Sequence, residues 1–268
     1  MINEFTEKIR RHKIFLFGTG FVAEMFYRAL ELNGLESGVE GCIVSSEDYL
    51  RPDFHGLPVY TAAMCAGRKE LVCIAVHEAN RESAEIILKE HGIHDYVWIY
   101  PMIYPLVYGD VQEERNIPLQ ELMMHQNPEY YWIEARYSAA VEHTKEHPDY
   151  NIYRKAIALH TSPRTAEYRL QKMLELIRGF ERCGYDPQYP ILIDDQFRII
   201  DGLHRAALCI WNEIEEIPCR IVKASKNYEL LLDDRNFLPE KKLKEYGFTA
   251  EEIQRLHDYH KLMEKKYR

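Results

Sequence analysis

The sequence lacks the features that mark membrane, secreted and zinc-binding proteins. No run approaches the roughly 18 uninterrupted apolar residues of a membrane span, and the charged start MINEFTEKIRRHK has no apolar signal core. None of the six cysteines forms a C-x-x-C pair or a zinc-spaced array with histidine. We therefore expect a cytoplasmic protein with reduced thiols and no membrane span.

Basic residues are also fewer than acidic residues. The chain has 34 Lys and Arg against 43 Asp and Glu, which gives a formal net charge of −9. Because phosphate neutralisation dominates generic nucleic-acid binding, this balance argues against a nucleic-acid partner. No internal repeat or low-complexity segment is visible. A hydrophobic fraction of 46% suits a globular chain, and 268 residues suit about two domains.

Short apolar runs alternate with helical patterns in the first part of the chain. Alternation at this spacing predicts a parallel, doubly wound sheet. We therefore expect residues 1–105 to form a Rossmann-like domain. The apolar runs that predict its strands are 13–18, 39–45, 71–76 and 95–100, and the helical patterns follow residue 20 and cover 82–92.

The remaining chain predicts a linker, a second domain and a terminal helix. Residues 101–118 contain prolines and suggest irregular structure, and an aromatic-rich helix follows, so 106–150 is expected to be a linker and helix. The aromatic residues of that helix either pack or bind a ligand. Residues 151–230 predict an α+β domain and 231–268 a C-terminal helical extension, with Thr249 and Glu252 as a capping box. The expected fold class is α/β.

The first candidate site is the turn GTGFVA. Gly18-x-Gly20-x-x-Ala23 follows a strand and opens a helix, as the dinucleotide-binding fingerprint requires. A helix N-terminus there offers free N–H groups to a phosphate. The second strand, however, ends at Val44 and is followed by Ser45 rather than the acid that binds a ribose. Three interpretations stay open: a scaffold turn, a nucleotide or nucleotide-sugar site, and an NAD(P) site.

This stretch resembles the small Rossmann-like domains at the N-termini of bacterial surface-glycan enzymes. The resemblance covers roughly 90 residues and includes the two glycines, Val44-Ser45, the G-x-P-V run at 56–59 and the I-A-V strand end at 74–76. It implies a surface-glycan or nucleotide-sugar context and no particular reaction.

The second candidate site, DGLHRAA, is the more specific pattern. A predicted strand ends at Asp201-Gly202, and a predicted helix opens with Leu203, His204 and Arg205. Arginine presents a charged fork suited to phosphate, and the N–H groups from Leu203 to Ala206 add an anion cradle. The alternative is that Asp201 caps the helix and pairs with Arg205 at the surface.

Residues 158–222 resemble the core of the ParB/sulfiredoxin superfamily. The opening loop ALHTSPRT, the helix before YPILID, the turn DGLHRAA and the strand IPCRIV occur in the order of that core. Leu203 stands where sulfiredoxins carry their nucleophilic cysteine, so the resemblance does not extend to sulfinic-acid reduction. The D-G-x-H-R form most resembles the free-serine kinases of this superfamily.

That resemblance implies a set of site residues. Asp201 would hold Mg²⁺ or the acceptor hydroxyl, and Glu167 is the nearest candidate for a catalytic base. His204 would take part in catalysis and contact phosphate. The cofactor would be Mg²⁺ with ATP, ADP or CTP. The residues expected at the phosphates or the nucleotide are Gly202, Leu203, His204, Arg205, Ala206, Arg164, Ser162 and Thr165, although Ser162 and Thr165 equally suit helix capping.

We therefore expect a nucleotide-dependent phosphotransferase that acts on a small hydroxyl substrate, in surface-glycan or sugar metabolism. One alternative is a nucleotide-binding module or regulator without turnover. Another is an NAD(P)-linked sugar-modifying enzyme that uses the N-terminal domain. A DNA-binding role is the least supported by the charge balance.

Overall fold

The protein forms two compact units. The computed structural model describes residues 2–159, 161–223 and 238–267. The first unit runs to Gly109 and the second takes in the described residues from Asp110 onward. Of the segment 106–150, which was predicted to be a linker and an aromatic-rich helix, the residues from Asp110 onward lie in the second unit. No helix in the described ranges combines the length and the apolar character needed to cross a membrane.

A five-stranded, fully parallel sheet is the centre of the first unit. Its strands are β1 (Ile14–Phe17), β2 (Val39–Val44), β3 (Val59–Thr61), β4 (Leu71–Ile74) and β5 (Tyr96–Trp98), and its helices are α1 (Ile2–Arg11), α2 (Phe21–Leu32), α3 (Glu78–Glu90) and α4 (Ile103–Tyr108). The sheet order is β3-β2-β1-β4-β5, which is that of a doubly wound sheet with its switch point between β1 and β4. Every residue of β1 and β4 is buried, as expected for strands covered on both faces.

Two helices of this unit were not predicted. α1 is highly charged but buries Phe5 and Ile9, which lie one turn apart on one face. α4 falls inside the segment that was predicted to be irregular. Its Pro105 is in the first turn, where a helix does not need the missing N–H group.

The second unit is built on a mixed four-stranded sheet. Its strands are β6 (Glu113–Pro118), β7 (Ile191–Asp194), β8 (Ile199–Asp201) and β9 (Glu216–Val222), and its helices are α5 (Leu119–Met124), α6 (Trp132–His143), α7 (Asn151–Ala158), α8 (Pro163–Cys183), α9 (Leu203–Trp211) and α10 (Ala250–Tyr267). The order is β6-β9-β7-β8. β9 runs parallel to β7, whereas the β6–β9 and β7–β8 pairs are antiparallel. The α/β class, the parallel sheet and the terminal helix are thus confirmed.

Strand β6 corrects the expectation of irregular structure over residues 101–118. It is an edge strand in which Ile117 is the one buried residue. Glu114 pairs with Arg220 of β9, with 2.8 Å between the carboxylate and Nε. The strand escaped prediction because its other side chains are polar or proline and show no apolar alternation.

The β7–β8 hairpin sets the position of the second candidate site. Asp194 is fully buried at the turn, and its carboxylate accepts hydrogen bonds from the backbone N–H groups of Gln196 and Arg198. Its second oxygen accepts from Nε of Arg198 at 2.7 Å. The predicted Asp194-Asp195 turn is confirmed, and β8 then delivers Asp201 to the start of α9.

The last helix, α10, packs into the core of the second unit. Met263 and Tyr267 of α10 are buried in the main core of the unit. The predicted capping box is confirmed, because the N–H of Thr249 donates to the Glu252 carboxylate and the N–H of Glu252 donates to the Thr249 hydroxyl. The expected domain end at 230 lies outside the described residues.

All six cysteines are free, as predicted. Five are buried and one, Cys183, is exposed. Burial raises the pKa of Cys42 and of Cys209 to about 12, so these thiols stay protonated and behave as small apolar side chains.

Candidate functional site

The turn between β8 and α9 requires glycine. Gly202 has φ +103° and immediately precedes the first residue of α9. A Cβ atom there would lie 2.9 Å from Nη2 of Arg205 and 3.1 Å from a side-chain carbon of Ile191. Glycine therefore serves both the backbone conformation and the close approach of the arginine. Ala206 and Ala207, fully buried, let α9 pack closely behind this turn.

Arg205 is partly buried beside this turn. Its Nη2 donates to the Asp201 carboxylate at 3.2 Å, so the surface pair that was the alternative interpretation is present. Asp201 makes no side-chain cap on α9. The Arg205 side chain keeps 21% exposure, and its buried Nε has no hydrogen-bond partner among the described residues. The Arg205 side chain is therefore partly exposed at this turn, and its buried Nε–H is an unused donor.

His204 is held by a buried tyrosine of α7. The Tyr153 hydroxyl and Nε2 of His204 are 2.7 Å apart, and the phenol ring is fully buried. Burial raises the pKa of Tyr153 to about 12, so the phenol keeps its proton. We assign the hydroxyl as the donor, because a buried O–H needs an acceptor. In that arrangement Nε2 accepts and the imidazole proton sits on Nδ1.

Three arginines act on His204 from three helices. Burial lowers the pKa of His204 well below its ordinary value of 6.5, and the positive charges of Arg136, Arg169 and Arg205 lower it further. These residues come from α6, α8 and α9. Arg136 is itself buried and its guanidinium stacks over the Trp132 ring at 4.4 Å. Concentrated positive charge around a neutral imidazole favours an anionic ligand.

The four residues that were predicted to reach the site from the start of α8 have different positions and partners. Ser162 caps α8, since its hydroxyl accepts from the N–H of Thr165, and Thr165 is buried. Arg164 is exposed in the first turn. Glu167 is also exposed and accepts from Gln171, and no hydrogen bond or ion pair joins it to Asp201 or His204 in the described part of the chain. Being two residues from Arg169, it leaves α8 on the opposite side.

The residues at this site do not fit a metal ion held by the protein alone. The Asp201 carboxylate pairs with Arg205, and the positive charges of Arg136, Arg169 and Arg205 lower the pKa of His204. Across the described ranges, no group of three or more His, Cys, Asp or Glu side chains could hold a metal ion. We therefore derive no step through Mg²⁺.

The first candidate site lies in the first unit, at the switch point of its sheet. Gly18 has φ +117°, and a Cβ atom there would lie 2.9 Å from the carbonyl oxygen of Ala75, just past β4. Gly20 immediately precedes α2 with open space where its Cβ would be. Ala23 is fully buried. Gly18 is therefore required by the turn, whereas Gly20 has a φ of −90° that other residues also adopt. Strand β2 ends at Val44 without an acid.

Leu203 is half-buried and packs against the apolar clusters of the second unit.

Three residues of the site, Arg136, Tyr153 and Arg169, were not predicted from the sequence. Each lies on a separate helix, and no short motif joins them to His204. Comparisons with protein-family models, with curated proteins and with solved structures find no match for this chain.

Proposed function

We propose that the second unit binds the phosphates of a nucleotide at the start of α9 and transfers a phosphoryl group to a small hydroxyl substrate. One observation carries the proposal: positive charge is gathered at the start of α9, where Arg205 follows His204 with an unused Nε–H, and Arg136 and Arg169 add to the charge that lowers the pKa of His204. Phosphoryl transfer depends mainly on positioning and charge neutralisation, which such a cluster supplies. The unused Nε–H of Arg205 and the first N–H groups of α9 would contact the phosphate oxygens.

Roles follow for the neighbouring side chains. The neutral His204 imidazole, with its Nε2 occupied by Tyr153, would donate its Nδ1–H to a phosphate oxygen. Asp201 is exposed and becomes available to the acceptor hydroxyl when Arg205 turns to the phosphate. The nucleotide would be ATP, ADP or CTP, and the acceptor a sugar or amino-acid hydroxyl.

Binding is tested by calorimetry with these three nucleotides, with and without Mg²⁺. Losing a charged hydrogen bond to phosphate costs about 1.5–3 kcal/mol, so Arg205→Ala should weaken binding by about 10- to 100-fold. Arg182→Ala, an exposed arginine in the last turn of α8, is the matched control and should bind normally. Equal affinities for the two variants would contradict the proposed site.

Turnover is tested by nucleotide loss on addition of serine, sugar alcohols or nucleotide sugars. Asp201→Asn should abolish the loss and keep the binding. A second candidate function, nucleotide binding without turnover, is favoured by one observation: the Glu167 carboxylate accepts from Gln171 and, among the described residues, forms no hydrogen bond or ion pair with Asp201 or His204. Binding that needs Arg205, with no product from any acceptor, would support that candidate instead.

The switch-point turn of the first unit supports a separate candidate, binding of a nucleotide sugar or NAD(P). Gly20 leaves open space at the first residues of α2. Gly20→Val would fill that space, so quenching of NADH fluorescence or retention of a nucleotide sugar should disappear in this variant. Binding by the wild type that persists in Gly20→Val would rule this turn out.

A further inference from the structure

Helix α6 carries a second buried charge that the phosphate site does not use. Glu134 and Arg136 are two residues apart, about 200° around the helix, so their side chains leave α6 on opposite sides. Glu134 also lines a pocket of the second unit. Residues of α5, α6 and α10 and of the segment after α5 form its walls.

Glu134 brings an unsatisfied acceptor to this pocket. The residue is 4% exposed, and its Oε1 lies 2.7 Å from Nδ1 of His260. Because a carboxylate only accepts, the imidazole N–H is the donor. The other oxygen, Oε2, is buried and has no hydrogen-bond partner in the part of the chain that the structure describes. Buried carboxylate oxygens are normally paired, so this one calls for a donor from outside the protein.

The other residues that line the pocket indicate which charge a bound donor should have. Glu264 lines the pocket with a side chain that is 45% exposed, and its carboxylate lies 3.5 Å from Nε2 of His260. Tyr130 contributes a phenol, and Met123 and Met263 contribute polarisable thioethers. No lysine or arginine is among the described residues of the wall. Two carboxylates against one histidine make the pocket attractive to a cation.

We propose that this pocket binds the primary ammonium group of a small organic ligand. One N–H of the ammonium donates to Oε2 of Glu134, and the Glu264 carboxylate balances the charge at the mouth. A metal ion is a poorer occupant, because these side chains do not form a group that could hold one among the described residues. The proposal is independent of phosphate binding, since the site uses none of the residues around His204.

The test is NMR of the full chain labelled at the methionine methyl carbons. The chain has eight methionines. Met123 and Met263 line the pocket, and Met64, 64% exposed in the first unit, is the reference. Titration with methylammonium chloride, against sodium chloride at equal ionic strength, should shift the Met123 and Met263 signals saturably. The Met64 signal should not move.

Two comparisons make the chemistry specific. Glu134→Gln keeps a carbonyl acceptor for His260 and replaces the free acceptor with an NH₂ donor, so methylammonium affinity should fall at least tenfold. Glu251→Gln, which changes an exposed acid on α10 outside the pocket, is the control and should leave the methylammonium affinity unchanged. Tetramethylammonium has the charge but no N–H, so it should produce no saturable shift.

Several results would overturn the proposal: no saturation with methylammonium, the same affinity in Glu134→Gln, or equal binding of tetramethylammonium. If Glu134→Gln loses the dispersed spectrum of a folded chain, Glu264→Gln decides the matter. That variant removes a partly exposed charge and should weaken methylammonium binding at least threefold. An unchanged affinity in Glu264→Gln would then refute the site.

Discussion

Replacing Gly202 with alanine tests the link between the turn and the site. The residue sits at φ +103°, a conformation that costs a residue with a Cβ atom about 1–3 kcal/mol. The new methyl group would also lie 2.9 Å from Nη2 of Arg205 and 3.1–3.2 Å from the Ile191 side chain. Overpacking of this kind costs about 1–3 kcal/mol. The reduced freedom of the unfolded chain offsets about 0.4–1 kcal/mol. We expect a net loss of about 1–5 kcal/mol.

The assay is urea unfolding followed by tryptophan fluorescence in a Trp98→Phe background. The two remaining tryptophans, Trp132 and Trp211, both lie in the second unit, so the signal reports on that unit. Gly247→Ala is the matched control in the same unit, because Gly247 has φ +81° with no atom within 4 Å of its Cβ position. Gly247→Ala should therefore lose stability only through the strained backbone conformation, without a steric contact.

The difference between the two variants isolates the contacts with Arg205 and Ile191. Gly202→Ala should be less stable than Gly247→Ala by at least about 1 kcal/mol. It should also bind nucleotide more weakly, because Arg205 must move to admit the methyl group. Equal losses of stability would refute the inference that the close approach of Arg205 demands glycine.

Further predictions concern the histidine. Burial and the charges of three arginines lower the pKa of His204 in the folded protein. In the unfolded chain the histidine has its ordinary pKa of about 6.5, so below that pH the unfolded chain binds more protons than the folded protein does. Urea midpoints should therefore fall as the pH drops from 7.5 to 5, and His204→Gln should reduce that slope. Arg169→Gln should raise the His204 pKa in a histidine NMR titration, whereas exposed Arg164→Gln should leave it in place. Tyr153→Phe strips Nε2 of its partner and should cost about 1–3 kcal/mol in urea unfolding, with exposed Tyr189→Phe close to neutral.

The sheet of the first unit could be predicted because its strands are buried on both faces. β1 and β4 are continuous apolar runs, and each is followed by an amphipathic helical pattern. The final helix was also predictable, from the capping box at Thr249. α1 was missed because its charges conceal a narrow stripe formed by Phe5 and Ile9. That stripe at i and i+4 was the signal available.

The candidate site was predictable only where it is local in sequence. The turn at Gly202 and the pair of Asp201 with Arg205 lie within five consecutive residues, and the motif contained them. The arginines of α6 and α8 lower the pKa of His204 from helices that are distant in sequence, and no spacing rule encodes how those helices pack. Glu167 was chosen for its nearness to the opening loop, but the helical repeat turns it away from Arg169 and so away from His204.

The edge strand of the second unit has a consequence for synthesis of the chain. Glu114 and Arg220 pair across strands although they are 106 residues apart. At about 5–20 residues per second, a ribosome needs on the order of 5–20 s to make the intervening stretch. During that interval β6 emerges with nothing to pair with. The charged run Glu113-Glu114-Arg115 protects the unpaired strand during that interval. Charged side chains on an edge strand discourage a neighbouring nascent chain from pairing with its backbone.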